Sequence, residues 1–168
     1  KNQIAPTEHD QVFRKQILQG YVHDPGAAML GGISGHAGLF SNSNDIAKVS
    51  QMLLNGGTYG GIQYISPETI SLFTSCPFCA ENNRKGYGFD KAWQDTTKLD
   101  PTCKCTSPES YGHSGFTGTI FWIDPTHEII YIFLSNRVYP DAENNKIGSL
   151  SIRPKIQKII YNALIPYM

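Results

Sequence analysis

Two β-rich runs near the carboxyl end constrain the fold most. Thr117–Ile123 and Glu128–Ser135 are dense in β-branched and aromatic residues, and only Asp124-Pro125-Thr126-His127 separates them. A spacer of four or so turn-forming residues between two such runs leaves the chain little choice but an antiparallel hairpin. Short strands over Gly86–Asp90 and Tyr111–Ser114 precede it, which makes a meander. Helices flank that meander. Ser41, Asn42 and Ser43 offer caps, and Ile46, Val49, Met52 and Leu53 form one apolar stripe that Asn55-Gly56-Gly57 ends. Ser66-Pro67-Glu68 starts a second helix, a cap followed by proline at the first helical position, which runs to about Thr74. From about Pro154, Ile156, Ile159, Ile160 and Leu164 repeat at helical spacing and close the chain. Residues 1–40 carry many turn formers and little periodicity, so they read as an irregular wrap with a turn of helix near Val12–Leu18. Helices first, then an antiparallel sheet, then a packing helix define an α+β fold.

The chain has 168 residues, enough for one domain with a core of its own, and neither an internal repeat nor a linker divides it. Fourteen basic residues balance fourteen acidic ones, and charged residues are only 17 %. Disorder needs a charge excess and few apolar groups, and nucleic-acid binding needs a basic surplus, so both are disfavoured. The longest apolar run, Ile129–Leu134, is strand-sized, far short of the ~18–20 residues of a membrane span. The first residue is Lys1 rather than Met, so the chain is read as part of a longer protein.

Three segments could carry chemistry. In Tyr111-Gly112-His113-Ser114-Gly115-Phe116-Thr117-Gly118-Thr119, glycine recurs every third residue inside good strand sequence. Such glycines mark a bulge or a ligand close to the backbone, or simply a twisted edge strand relieved of crowding. His113 and Ser114 alternate faces there, so one of them can look into a cleft. The second segment is Val22-His23-Asp24-Pro25 with Gly35-His36-Ala37-Gly38. An aspartate can orient an imidazole and glycines admit a substrate, although His23 and Asp24 could equally satisfy loop backbone groups. The third is the cysteines, Cys76-Pro-Phe-Cys79 and Cys103-Lys-Cys105, which suit two disulfides or one four-thiolate zinc site. Because the pairs flank Gly86–Asp90, bridging them would staple a loop. Disulfides are favoured in an exported protein, and a redox role lacks the βαβ unit that lowers a thiol pKa.

Taken in order, these segments resemble the serine β-lactamase and penicillin-binding-protein superfamily, specifically the class C β-lactamase-like serine hydrolases. Gly31–Leu54 (GGISGHAGLFSNSNDIAKVSQMLL) is similar to the loop and helix bordering that family's pocket. His113-Ser114-Gly115 is similar to its Lys-Thr-Gly strand, in the His-x-Gly form of many esterase- and amidase-like members. Phe116–Pro125, Glu128–Arg137 and Ile152–Tyr161 resemble the next two strands and the terminal helix, and Gly32–Phe40 with Asn136-Arg137-Val138 resembles a bacterial subgroup associated with cell-wall turnover. The resemblance implies a partial β-lactamase/transpeptidase-like fold over residues 1–168. It implies that His113 and Ser114 belong to the catalytic wall and that the Phe116 backbone N–H is one of two oxyanion donors. Gly115, Gly35, His36 and Gly38, with His23 and Asp24, would border the substrate. A histidine in place of lysine weakens attraction for a substrate carboxylate unless protonated, which favours an esterase, peptidase or amidase over a true β-lactamase. Acyl transfer through a serine needs no metal and no organic cofactor.

The family's other two motifs are missing. No serine is followed three residues on by lysine: Ser41 meets Asn44, Ser71 meets Thr74, Ser107 meets Ser110. Tyr-x-Asn and Ser-x-Asn are absent too, since Tyr64 meets Ser66 and Tyr161 meets Ala163. The expectation is therefore the carboxyl-terminal portion of an extracytoplasmic bacterial hydrolase, inactive alone and prone to self-association, acting when whole on a cell-wall-derived amide or an ester. The competing expectations are a non-catalytic module binding peptidoglycan fragments, with the cysteines as a structural centre, and an interaction domain covering a partner's sheet.

Overall fold

A computed structural model describes residues 3–164 apart from Gln94 and Thr96. Its centre is an antiparallel sheet of four strands in the order β5 (Asp90–Lys91), β6 (Tyr111–Ser114), β7 (Ile120–Asp124), β8 (Ile129–Phe133). The period-two alternation of β7 sorts side chains to the two faces. Ile123 and the half-buried Phe121 pack with Tyr111, Leu53 and Ile70, so one face is covered by α2 (Ser43–Leu54) and α3 (Pro67–Thr74). Ile120 and Trp122 pack with Tyr131, Ile156 and Ile160, so the other face is covered by α5 (Ile152–Leu164). A sheet clad by helices on both faces explains why β7 reads as a near-continuous apolar run.

The helix starts follow their caps. The Asn42 side chain accepts the Asp45 N–H at 3.1 Å, and the Ser66 hydroxyl accepts the Thr69 N–H at 3.2 Å with Pro67 next in line. Between α2 and α3 lies a small hairpin absent from the sequence reading, β3 (Thr58–Tyr59) and β4 (Ile62–Gln63), turned by Gly60 and Gly61 in the left-handed region. A short α4 (Lys146–Ser149) precedes α5.

The carboxyl end is fixed by a buried carboxylate. Asp124 is fully buried and accepts the Ser107 N–H at 2.9 Å, the Ser107 hydroxyl at 2.6 Å, His127 Nδ1 at 2.9 Å and the Tyr161 hydroxyl at 2.8 Å. Burial by itself would raise its pKa, but the hydrogen bonds from Ser107, His127 and Tyr161 outweigh it and hold the group below the usual carboxylate range. One side chain thus ties the β7–β8 turn, the 103–107 loop and α5 together.

Three expected elements differ. Residues 12–18 form no helical turn. The chain makes a hairpin of β1 (Pro6–Asp10) and β2 (Gln16–Gln19), because the Asp10 carboxylate accepts the N–H groups of Val12, Phe13 and Arg14 at 3.0, 2.8 and 2.9 Å. Those bonds close the turn and leave Val12 86 % exposed. The strand expected over Gly86–Asp90 is confined to Asp90–Lys91. Gly86 instead bends back, its N–H donating to Phe89 O at 2.8 Å, where a Cβ would come within 2.5 Å of Ser75 O. Within the β6–β7 connection the pairing of β7 begins at Ile120 rather than Thr117, since residues 115–118 are spent on a turn.

Candidate functional site

The site is built around the end of β6. His113 is exposed, Ser114 and Gly115 are half-buried, and Phe116 projects its ring to the surface. Gly112 faces Trp122 across the strands, where a Cβ would lie 2.3 Å from Phe121 O and 2.5 Å from the Trp122 ring. The recurring glycines therefore serve close strand packing at Gly112 and a tight turn at Gly118, whose φ is +106°.

The turn itself is closed by the Gly118 N–H donating to Gly115 O at 3.0 Å and the Gly115 N–H donating to Thr119 O at 2.8 Å. Gly115 O belongs to the same peptide unit as the Phe116 N–H, and in a planar trans peptide the two point in opposite directions. With the carbonyl drawn into the turn, the N–H is directed away from it. Among the described residues that N–H has no acceptor.

His23 reaches this turn from the other end of the chain. Its imidazole stacks on the Phe116 ring, 5.2 Å between centroids and 8° between planes. The imidazole is backed by Glu8, whose Oε2 lies 3.0 Å from Nδ1 without forming a hydrogen bond. Arg14 organises this end: it bonds Glu8 at 2.7 Å, Asp10 at 2.7 Å, Val22 O at 2.6 Å and His23 O at 2.9 Å. Its guanidinium holds Asp10 well below the usual carboxylate range.

Asp24 caps α1 (Pro25–Met29), accepting the Ala27 N–H at 2.7 Å, and also bonds His36 Nε2 at 3.0 Å. Both contacts, the backbone one first, keep its carboxyl below the ordinary value. His36 Nδ1 meets the Ser34 hydroxyl at 2.9 Å. The flanking glycines differ in role. Gly38, at φ +117°, runs so close to Gly32 that a Cβ would overlap Gly32 O, whereas Gly35 faces open space.

The structure thus brings His23, Asp24, His36 and Phe116 into one chain of contacts and places Gly35 and Gly38 in the loop they support. No described side-chain bond joins His113 or Ser114 to that group. Glu8 and Arg14 carry no motif in the sequence, and Arg137 is marked only within Asn136-Arg137-Val138. Their contacts exist only in the folded chain: Arg14 joins β1 to residues 22 and 23, and Arg137 reaches Phe116 21 residues away. The sulfurs of Cys76 and Cys79, and of Cys103 and Cys105, pair within their own motifs at disulfide distance, so they do not bridge across residues 86–90. Among the described residues no three His, Cys, Asp or Glu side chains are grouped to hold a metal ion. A small cleft lined by Asn82, Arg84 and Trp93 includes Cys79 but none of the histidines, Ser114 or Phe116.

The fold is a four-stranded antiparallel sheet clad by helices on both faces, with His113-Ser114-Gly115 at the end of β6. The family model described as Beta-lactamase matches residues 3–150, and the chain belongs to that family. It is 38 % identical over 159 residues to a protein of Escherichia coli K12 named "Putative D-alanyl-D-alanine carboxypeptidase", covering 86 % of this chain and 35 % of that one. A protein of the same name from Salmonella agona is 36 % identical over 160 residues, covering 87 % and 36 %. The crystal structure of a beta-lactamase from Mycobacterium bovis shares the fold, with a TM-score of 0.55 and 20 % identity over 74 % of this chain and 44 % of that one. The chain spans about a third of the length of the curated relatives it matches.

Proposed function

We propose that this chain supplies the oxyanion-binding wall of an extracytoplasmic serine hydrolase that cleaves a peptidoglycan-derived amide, or an ester, through an acyl-enzyme. The observation that carries the reading is the Phe116 N–H, directed out of a hydrogen-bonded turn at the end of the His113-Ser114-Gly115 strand and without an acceptor among the described residues. When a serine Oγ attacks the substrate carbonyl, negative charge collects on the carbonyl oxygen, and a pre-aimed backbone N–H stabilises that charge without reorganising. His113 and Ser114, on the same strand end, would border the scissile group. His36, held by Asp24, would stand with Gly35 and Gly38 on the facing loop, and His23 would back the turn.

The names of the Escherichia coli and Salmonella relatives support a peptide of the D-alanyl-D-alanine type as substrate. The absence of Ser-x-x-Lys and Tyr-x-Asn from all 168 residues supports a nucleophile and base contributed from outside them, and a chain inactive alone. We further propose that the paired cysteines are disulfides, in keeping with an oxidising compartment.

Intact mass after reaction with a fluorophosphonate tests this. The gene's full-length product should take up one label on one serine, and the 168-residue chain none. A label on the short chain would overturn the assignment of the nucleophile. No label on either form would favour a non-catalytic binding module instead.

A further inference from the structure

We infer that Arg137 is the positioning residue for the Phe116 N–H, an inference that rests on the proposed role of that N–H. Arg137 lies just past β8, 21 residues from Phe116, yet it makes three contacts with the turn. Its backbone N–H donates to Thr117 O at 2.8 Å, and its side-chain Nε donates to Phe116 O at 2.8 Å. Its guanidinium carbon stands 4.2 Å from the centre of the Phe116 ring, over the π face. Together with the Gly118 bond to Gly115 O, three consecutive carbonyls, those of Gly115, Phe116 and Thr117, are each held by a separate donor.

Fixing the carbonyls on both sides of the Phe116 Cα restricts its φ and ψ, and so fixes the direction of its N–H. The guanidinium is itself anchored, since Nη1 donates to Ala142 O at 2.9 Å and Asn144 O at 3.1 Å. Neighbouring Asn136 bonds Thr7 O at 2.9 Å and also Pro6 O, which ties the same segment to β1. Arg137 is thus held from behind while it holds the turn in front. Lysine cannot reproduce this, because one ammonium lacks the planar fork that bonds Phe116 O and the 142–144 loop at once.

The test uses the gene's full-length product and p-nitrophenyl butyrate. Arg137→Ala and Arg137→Lys should each lower kcat roughly 10²-fold, the cost of about 1 Å of misplacement, with KM within about twofold. A kcat within about twofold of wild type, or a change confined to KM, would overturn the inference. Because Arg137→Ala also uncaps the 142–144 loop, a second readout is needed that does not depend on its folding. In protein labelled with 15N-phenylalanine, the Phe116 order parameter should fall in Arg137→Lys from about 0.85, typical of rigid backbone, to below about 0.6. An unchanged order parameter would overturn the inference. If the wild type neither hydrolyses the ester nor takes the fluorophosphonate label, the hydrolase reading fails, and the order parameter still decides whether Arg137 positions Phe116.

Discussion

Among single residues, Gly112 is one of the most tightly enclosed. A methyl group there would meet Phe121 O and the Trp122 backbone and ring, all within 2.8 Å, and a strand carbonyl cannot step aside as a flexible side chain can. Gly112→Ala should therefore cost about 3 kcal/mol, the upper end of overpacking penalties, seen as a lower urea midpoint with the slope unchanged. The sequence marks Gly112 by its place in a repeating pattern and leaves two explanations open, ligand approach or relief of crowding. The answer, crowding by Trp122, is a cross-strand contact that no single strand displays. The same holds for Phe116, whose position after His-Ser-Gly is readable while its unpaired N–H is not. That property belongs to a turn closed by Gly118 and to an arginine 21 residues on.

At the level of elements, legibility follows how local the cause is. The helix starting at Pro67 and the strand Tyr111–Ser114 lie where their caps and side-chain pattern put them. The hairpin of β1 and β2 could not be read from periodicity, because one aspartate side chain replaces the backbone partners a helix would have used. The docking of α5 was legible as an apolar stripe, but its polar anchor was not: Tyr161 meets Asp124 across 37 residues. Tyr161→Phe should cost about 2 kcal/mol, as for a hydrogen bond to a charged group, or roughly 4–8 °C of Tm. It should also change the acid limb. Asp124 has a native pKa below its ordinary 3.8, so the stability it contributes is complete above that ordinary value and is lost as pH falls through the lowered one. Removing the Tyr161 donor brings the native value closer to 3.8, so the variant should begin to unfold at higher pH than wild type. A titration of ellipticity from pH 6 to pH 2 checks the direction.

For the molecule as a whole, large apolar side chains are exposed along the length of the chain, from Val12 to Leu164. Ile33 and Leu39 are 87 % and 89 % exposed, and Val12, Met29 and Leu30 lie in the same stretch of chain. Exposed apolar side chains drive association where they adjoin. The isolated 168-residue chain should therefore sediment as a concentration-dependent mixture, and Ile33→Ser with Leu39→Ser should shift it toward monomer. A single species across a hundredfold dilution would contradict this. The stack between His23 and Phe116 joins residues far apart in the chain, and it has a use of its own. Protons held over an aromatic face resonate upfield of their free positions, so the His23 ring protons carry a built-in optical lever on the turn. Any acyl group that seats against the Phe116 N–H and tilts the ring would move those resonances, giving a reporter of occupancy that requires neither a label nor turnover.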